Sequence, residues 1–252
     1  MSAHIDHAMS FGGRTALVTG GSAGIGLAVC EAFLAQGARV IAAGLEPVAK
    51  SHPRLSSCVA DLSTPAGIAT IVAHIADEGG INILVNNAGV VRNTLLGEVD
   101  DAQFDLMMNL HVRCAMQLAQ ACVPHMKARH FGRIVNVASR AIVGLAGRTA
   151  YGASKAALAA MTRTWALELG PSGITVNTVS PGPTVTGMLT RDIPEHGERA
   201  RALAASLPAR RLGLPEDVAR AVLFFANPAS GWITGQNLFV CGGGSLAASL
   251  AM

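Results

Sequence analysis

Three side chains able to take part in proton transfer lie close together in the sequence: Ser139, Tyr151 and Lys155. Tyr151 and Lys155 are four residues apart, so on a helix both point from the same face. A phenol with its ordinary pKa near ~10 is a weak base at neutral pH, but a lysine cation about 4–6 Å away favours the tyrosinate. The spacing indicates a proton-transfer pair. A single Tyr-x-x-x-Lys also occurs on ordinary amphipathic helices, with the tyrosine buried and the lysine in solvent.

A second candidate site follows the first apolar run. Here Thr19-Gly20-Gly21-Ser22-Ala23-Gly24-Ile25-Gly26 leads directly into a helical pattern. Glycines allow a tight turn and let the backbone N–H groups at a helix start approach a pyrophosphate. Any strand-to-helix turn can contain glycine, but three spaced glycines in this context favour a dinucleotide cofactor.

The elements that must position these residues alternate along the chain. Apolar or β-branched runs predict seven buried strands, at residues 15–18, 39–43, 57–60, 81–85, 133–137, 174–179 and 238–240. Helical spacing predicts helices at 24–36, 65–77, 102–129, 151–169 and 215–226. This alternation favours an α/β fold with a doubly wound parallel seven-stranded sheet and helices on both faces. No repeat or linker interrupts the pattern, which indicates a single domain.

Two segments lie outside this alternation. Residues 1–12 are polar and without periodicity, and they predict a flexible N-terminal tail before a domain at 13–252. From Met188 to Leu212 the chain is charged and irregular, which predicts a substrate lid at about 187–212. A plain surface excursion is the alternative for that segment.

Composition narrows the classes of partner. Only 14% of the 252 residues are charged and 50% are apolar, which suggests surface buried between subunits. The net charge of +3 is small and scattered, so neither a nucleic acid nor a membrane surface is an expected partner. The 5 cysteines and 8 histidines form no metal-ligand spacing, so no metal is expected. No signal peptide or long apolar run is present, which predicts a cytoplasmic protein.

Taken together, these motifs resemble the short-chain dehydrogenase/reductase family, in its single-domain branch. The resemblance spans 13–243 and rests on the glycine loop, Asn86-Asn87-Ala88-Gly89, Asn109, the Ser139, Tyr151 and Lys155 set, and Pro181-Gly182. It implies a Rossmann fold and an NAD(P)-dependent oxidoreductase that transfers hydride between the nicotinamide and a secondary alcohol or its ketone. The alternative is an NADPH-dependent ketone reductase of the 3-oxoacyl type. A non-catalytic nicotinamide-binding redox sensor or a scaffold is more remote, because neither needs the catalytic set.

The resemblance assigns the catalytic roles. Tyr151 is the general acid/base, and Ser139 hydrogen-bonds the reacting oxygen and fixes its position. Lys155 lowers the pKa of the tyrosine and holds the ribose hydroxyls of the nicotinamide. Asn109 anchors a water that links Lys155 to solvent; a polar residue at a kink of a long helix is compatible with that role.

The resemblance also implies the cofactor contacts. Asp61 accepts from the adenine amino group, although a carboxylate capping the next helix is the alternative, and Thr186 meets the carboxamide. The implied contact residues are Gly20, Ser22, Gly24, Ile25, Gly26, Gly44, Leu45, Asp61, Leu62, Asn87, Ala88, Gly89, Tyr151, Lys155, Pro181, Gly182, Thr184 and Thr186.

Two departures affect the choice of cofactor. Gly44 stands where NAD-preferring members usually carry aspartate, and Ala23 stands where NADP users often carry a cation. Glu46 could turn inward and repel a 2′-phosphate, which favours NAD over NADP unless Glu46 faces solvent. Only residues 44–54 separate the second and third strands, so the helix between them is truncated or absent and the adenosine end is open.

The substrate is less constrained. The candidate lining positions are Val91, Asn93, Arg140, Ile142, Arg148 and 186–189. Arg140 and Arg148 would suit an anionic or polyhydroxylated substrate, or they form surface salt bridges. By resemblance the protein is a homotetramer, packed through the Asn109 and Tyr151 helices; on the latter, Ala153, Ala156, Ala157 and Ala160 allow close approach.

Overall fold

The computed structural model describes residues 10–246, and the strands in this range form one parallel sheet. The sheet has 7 strands in the order β3-β2-β1-β4-β5-β6-β7. The strands are β1 (Thr15–Thr19), β2 (Arg39–Gly44), β3 (Leu55–Val59), β4 (Ile83–Asn86), β5 (Gly132–Val137), β6 (Ile174–Pro181) and β7 (Asn237–Val240). The order changes direction between β1 and β4, which opens a crevice at the carboxyl ends of these strands.

Helices cover both faces of the sheet. They are α1 (Gly24–Ala35), α2 (Pro65–Asp77), α3 (Asp101–Met108), α4 (Cys114–Ala128), α5 (Thr149–Leu169), α6 (Gly187–Thr190), α7 (Glu198–Ser206) and α8 (Pro215–Ala226). One apolar cluster joins the sheet to α1 and α8 and includes Phe33 and Val222. A second joins the opposite face to α2, α4 and α5 and includes Ile71 and Leu118. The predicted doubly wound single domain is confirmed.

The structure differs from the expected helices at two places and agrees with the expectation at a third. The predicted helix 102–129 is observed as α3 and α4 joined by a π-helical turn at Asn109–Arg113. The segment predicted as irregular contains α6 and α7, which start after Thr186 and Gly197. Between β2 and β3 the chain forms no helix, as expected from the short connection.

The amino-terminal boundary also differs from the expected one. Residues 1–9 of the predicted tail lie outside the described residues. Phe11, within the same predicted tail, is fully buried, and its ring lies 4.9 Å from that of Phe33. Its backbone N–H donates to the Gln36 carbonyl at 2.9 Å. The packed structure therefore includes Phe11, two residues before the expected start at Gly13.

Candidate active site

At several positions of the glycine loop, the backbone conformation or the close packing can be adopted only by glycine. Gly20 and Gly24 have φ of 64° and 52°, in the left-handed region. A Cβ on Gly26 would lie 2.0 Å from the Gly20 carbonyl oxygen, so α1 can only pack this closely without a side chain there. Ala23 precedes α1 and gives no side-chain cap, which leaves the N–H groups of the first turn for an anionic ligand.

Thr19 joins this loop to the next strand end. Its Oγ1 accepts hydrogen bonds from the backbone N–H groups of Asn87 and Ala88, both at 2.9 Å. The Asn87 side chain donates back to the Thr19 carbonyl at 2.8 Å. The segment Asn87–Gly89 is therefore fixed against the glycine loop. Thr19 was not among the predicted site residues; its position directly before the first loop glycine is the signal that could have identified it.

The predicted adenosine end is formed by the ends of β2 and β3. A Cβ on Gly44 would lie 3.7 Å from the Gly20 Cα, so Gly44 lines the glycine loop, and the Leu45 side chain is exposed. Asp61 is exposed, and its Oδ1 accepts from the Ser63 hydroxyl at 2.7 Å and the Ser63 N–H at 2.9 Å. These bonds lower the pKa of Asp61 and keep it ionised as an acceptor. Leu62 is buried beneath it.

The predicted nicotinamide end is formed by the segment after β6. Pro181 ends the strand, and the Gly182 N–H donates to the Val240 carbonyl at 2.9 Å. Thr184 is buried. Thr186 lies beside the glycine loop, since a Cβ on Gly24 would be 3.2 Å from the Thr186 methyl carbon. This segment and the glycine loop thus form two walls of one cleft.

Tyr151, Ser139 and Lys155 lie close together beside that cleft. Ser139 ends the segment after β5, and its side chain hydrogen-bonds Tyr151, which lies in the first turn of α5. Lys155, one turn further, is 3% exposed and donates from Nζ to the Val137 carbonyl at 2.9 Å. Lys155 Nζ lies 5.9 Å from the centroid of the Tyr151 ring.

Two cationic side chains lie near the Tyr151 phenol. Burial raises the pKa of Tyr151, while the hydrogen bond with Ser139 and the Arg148 cation act in the opposite direction. The Arg148 Cζ lies 5.7 Å from the ring centroid, and the Lys155 Nζ lies 5.9 Å from it. Burial lowers the pKa of Lys155 to about 7. Arg148 was not predicted from the sequence to influence the phenol.

Asn109, where a kink of the helix was predicted, is the first residue of the π-helical turn. Its side-chain Oδ1 accepts from Arg113 Nε at 2.9 Å, so the Asn109 side chain is engaged within its own turn. π-helical turns often mark functional sites, because they displace side chains from the regular helical positions. Asn109 belongs to the segment that faces α5, but its side chain does not bond Lys155.

His111, in the same turn, was missed by sequence reasoning. Its Nε2 accepts from the Val90 N–H at 3.0 Å, and its Nδ1 lies 2.8 Å from the Ser154 hydroxyl. Ser154 in turn donates to the Tyr151 carbonyl at 2.8 Å. Burial, followed by the charge of Lys155, lowers the pKa of His111 to about 2, so the imidazole is neutral and Nδ1 carries its proton. His111 thus links the loop after β4 to the Tyr151 helix.

A cavity of about 390 Å³ lies between the loop after β4 and the segment around α6. It is lined by residues 89–93 and by Met188, Arg191 and Asp192. Asn93 Nδ2 donates to Asp192 Oδ2 at 3.0 Å, so the two sides of the cavity are in contact. Val91 and Asn93 are thus placed where they were predicted. Arg140 instead donates to the Gly244 carbonyl at 2.9 Å, and Ile142 lies in the turn after Ser139.

The arrangement fits a dinucleotide with a nicotinamide. The glycine cradle and the uncapped start of α1 suit a pyrophosphate, Asp61 suits an amino group, and Ser139, Tyr151 and Lys155 lie beside the opposite end of the cleft. Across 10–246, no group of three His, Cys, Asp or Glu could hold a metal ion. In the same range, no helix is long and apolar enough to span a bilayer.

Comparisons with known proteins agree with this geometry. A family profile described as Enoyl-(Acyl carrier protein) reductase matches residues 20–245. The chain is 39% identical over 251 residues to the (2S)-[(R)-hydroxy(phenyl)methyl]succinyl-CoA dehydrogenase subunit BbsD of Thauera aromatica, covering 95% of this chain and 100% of that protein. It is 37% identical over 243 residues to the 3-oxoacyl-[acyl-carrier-protein] reductase FabG of Vibrio cholerae, covering 93% and 98%.

Solved structures give the same result. A short chain dehydrogenase/reductase family protein is 38% identical with a TM-score of 0.83, covering 94% of this chain and 100% of that one. A candidate NAD(P)-dependent gluconate 5-dehydrogenase from Beutenbergia cavernae, with NADP bound at low occupancy, is 33% identical with a TM-score of 0.87, covering 95% and 99%. The chain therefore belongs to the short-chain dehydrogenase/reductase family and is an NAD(P)-dependent oxidoreductase of alcohols and ketones.

Proposed function

We propose that the protein transfers hydride between NAD and a secondary alcohol or its ketone, with Tyr151 as the general acid/base. The observation that carries this proposal is the convergence of Tyr151, Ser139 and Lys155 beside the glycine-lined cleft. The bound nicotinamide supplies or accepts the hydride. Tyr151 gives its phenol proton to the carbonyl oxygen in reduction, or takes the alcohol proton in oxidation, and Ser139 holds that oxygen.

The remaining site residues position this pair. Lys155 donates to the Val137 carbonyl at 2.9 Å, and its remaining N–H donors are proposed to hold the ribose hydroxyls of the nicotinamide. The π-helical turn that starts at Asn109 places His111 between Val90 and Ser154 and so fixes the start of α5. Segment 187–212, with α6 and α7, is proposed as the lid, because Asp192 already contacts Asn93 across the cavity.

NAD is proposed over NADP because the nearby cations are already bonded. Lys50 Nζ donates to Glu31 at 3.0 Å, and an Arg54 guanidinium nitrogen donates to the Leu34 carbonyl at 3.0 Å. Gly44 and the exposed Ala23 offer no cation; Glu46 is exposed, as in the solvent-facing alternative, and contributes only a negative charge near the end of β2. A 2′-phosphate would have to break one of these pairs to find a cationic partner.

We expect NADH to bind more tightly than NADPH in side-by-side fluorescence titrations at one salt concentration. A tenfold difference corresponds to about 1.4 kcal/mol, which one unfavourable carboxylate–phosphate contact can supply. Glu46→Gln should narrow the difference, and Glu98→Gln, which makes the same charge change away from β2, should leave it unchanged. Tighter binding of NADPH would mean that Lys50 or Arg54 leaves its present partner and binds the 2′-phosphate. If neither NADH nor NADPH bound, the assignment of the protein as an enzyme would be contradicted.

A ketone reductase of the 3-oxoacyl type is the second candidate, favoured by the 37% identity to the reductase of Vibrio cholerae. Acetoacetyl-CoA reduction measured with each cofactor separates the two candidates. If acetoacetyl-CoA reduction with NADPH is faster than NAD-coupled alcohol oxidation, the ketone reductase is favoured. The sensor alternative predicts cofactor binding without turnover of any alcohol or ketone.

The protein is further proposed to be a cytoplasmic homotetramer. Strand β7 is an edge of the sheet, and beside it Trp232 is 98% exposed and Phe224 47% exposed. On α5, Ala153, Ala156 and Ala160 are exposed, so a second helix can approach closely. These apolar surfaces support burial against further copies of the chain.

Light scattering is expected to give four times the chain mass of 25.8 kDa. Trp232→Ser should shift the population toward smaller assemblies, because it removes a large aromatic side chain from the edge of the sheet. Asp77→Ser, at an exposed position at the end of α2, serves as the control and should retain the wild-type mass. A wild-type mass equal to one chain would contradict the tetramer.

A further inference from the structure

Arg148 is a partly buried cation without a partner in the candidate active site. Its Cζ lies 5.7 Å from the centroid of the Tyr151 ring. Within residues 10–246, no carboxylate forms an ion pair with it and its guanidinium makes no hydrogen bond. Arg140, the arginine with which it was grouped from the sequence, is bonded to the Gly244 carbonyl. Of these two arginines, Arg148 alone keeps its donors free.

Beyond its contact with the Tyr151 ring, Arg148 gains little stabilisation from the fold. Arg148 precedes the first turn of the 21-residue helix α5, where the helix dipole disfavours a cation. Burial lowers the pKa of Arg148, and the nearby Arg140 charge acts in the same direction, so both disfavour its charged form. The opposing carboxylate, Asp192, acts only through its field and is already bonded to Asn93. A further anion at this position would relieve each of these unfavourable interactions.

The backbone holds Arg148 at the edge of the cavity. It forms a β-bridge with Thr94, the residue that follows cavity-lining Asn93. The Thr94 N–H donates to the Gly147 carbonyl at 3.0 Å, which fixes the loop before α5. The cavity itself is lined by Arg92 and Arg191 against the single carboxylate of Asp192, so its charged side chains are mainly positive. An anion entering this space is attracted toward Arg148, which lies beside the Tyr151 ring.

We propose that Arg148 binds a carboxylate of the substrate itself, so that the substrate is a short hydroxy acid or oxo acid. The inference rests on the proposed function and specifies its substrate class. A guanidinium presents two parallel N–H donors that match a carboxylate. Because Arg148 lies beside the phenol that handles the proton, the carboxylate must be only a few bonds from the reacting carbon. The phosphate of a pantetheine carrier lies a whole pantetheine arm from the carbonyl and cannot occupy this position.

The test uses pairs of ligands that differ only in charge. Acetoacetate and 4-oxopentanoate are compared with their methyl esters by calorimetric titration into the enzyme saturated with its oxidised cofactor, so no turnover occurs. The acids are expected to bind at least about tenfold more tightly than the esters, because the guanidinium–carboxylate pair is charge-assisted and bidentate. Arg148→Gln should remove this preference and leave ester binding unchanged.

Two further variants define the outcome. Arg148→Lys keeps the charge but loses the planar pair of donors, and should retain only part of the preference. Arg129→Gln makes the same charge change at an exposed position on the far end of α4 and should retain all of it. Equal weakening of acid and ester in Arg148→Gln, or wild-type enzyme that binds no acid better than its ester, overturns the inference. Failure of the cofactor to bind at all is seen beforehand and counts against the proposed function instead.

Discussion

Tyr151→Phe is expected to lower kcat/KM by about 10²–10⁴-fold, the usual contribution of a positioned acid or base. The substitution removes only the hydroxyl. The ring keeps its edge-to-face contact with His111, at 5.7 Å between centroids, and its place beside Arg148. The variant should therefore fold as the wild type does, and its dissociation constant for NADH should stay within about threefold of the wild-type value. The measurement is steady-state kinetics with the most active substrate of an alcohol and ketone screen, together with the cofactor titration.

Ser139→Ala is the matched comparison for Tyr151→Phe. It removes a hydroxyl from the same hydrogen bond but leaves the acid/base group in place. Its loss of kcat/KM should be smaller, because the role proposed for Ser139 is to position the oxygen, whereas Tyr151 is proposed to move the proton. Turnover in Tyr151→Phe within tenfold of the wild type would remove Tyr151 from the mechanism. If Ser139→Ala lost more kcat/KM than Tyr151→Phe, Ser139 rather than Tyr151 would be the group that transfers the proton.

The parts of the fold that follow from local pattern were predicted from the sequence. Buried parallel strands such as Ile83–Asn86 appear as short apolar runs, and α1 follows directly from the spacing of Gly20, Gly24 and Gly26. The lack of a helix between β2 and β3 follows from the length of residues 44–54 alone. Each of these features is decided by neighbours within a few residues.

Features decided by distant contacts were not predictable in the same way. Phe11 has no periodic context, and only its packing against Phe33 places it in the core. His111 is a lone histidine in a helical segment, and its function depends on the Val90 N–H, 21 residues away. The charge beside the phenol was expected from Lys155 because four-residue spacing is visible in sequence. Arg148 reaches the same ring because the loop before α5 is held by Thr94.

Lys155→Met is expected to abolish turnover while making the cofactor-free protein more stable. The wild-type amine is 3% exposed, and the Val137 carbonyl is its hydrogen-bond partner within residues 10–246. A buried cation without a carboxylate pays a desolvation cost, which lowers the pKa of Lys155 to about 7. Methionine has a similar length and no charge, so it removes that cost. It also leaves the Val137 carbonyl without a hydrogen-bond donor, which lowers the free energy of unfolding by about 1–3 kcal/mol.

The pH dependence gives this prediction a specific sign. The pKa of Lys155 is about 7 in the folded protein, against an ordinary value of 10.5. Between these two pH values the unfolded chain binds more protons, so wild-type stability rises with pH. Below pH 7 both states are protonated and the full cost, on the order of 4 kcal/mol, is present. The stability advantage of Lys155→Met should therefore be largest below pH 7 and decline toward pH 10.5.

Thermal unfolding at a fixed protein concentration measures this difference. After the loss of the Val137 bond, a net gain of about 1–3 kcal/mol corresponds to a rise in Tm of a few degrees for a domain of this size. Lys127→Met, at an exposed position on α4, should change neither Tm nor turnover. A lower Tm for Lys155→Met at every pH would show that Lys155 stabilises the fold. A higher Tm with lost turnover would show that the buried amine is retained at the expense of stability because the reaction requires it.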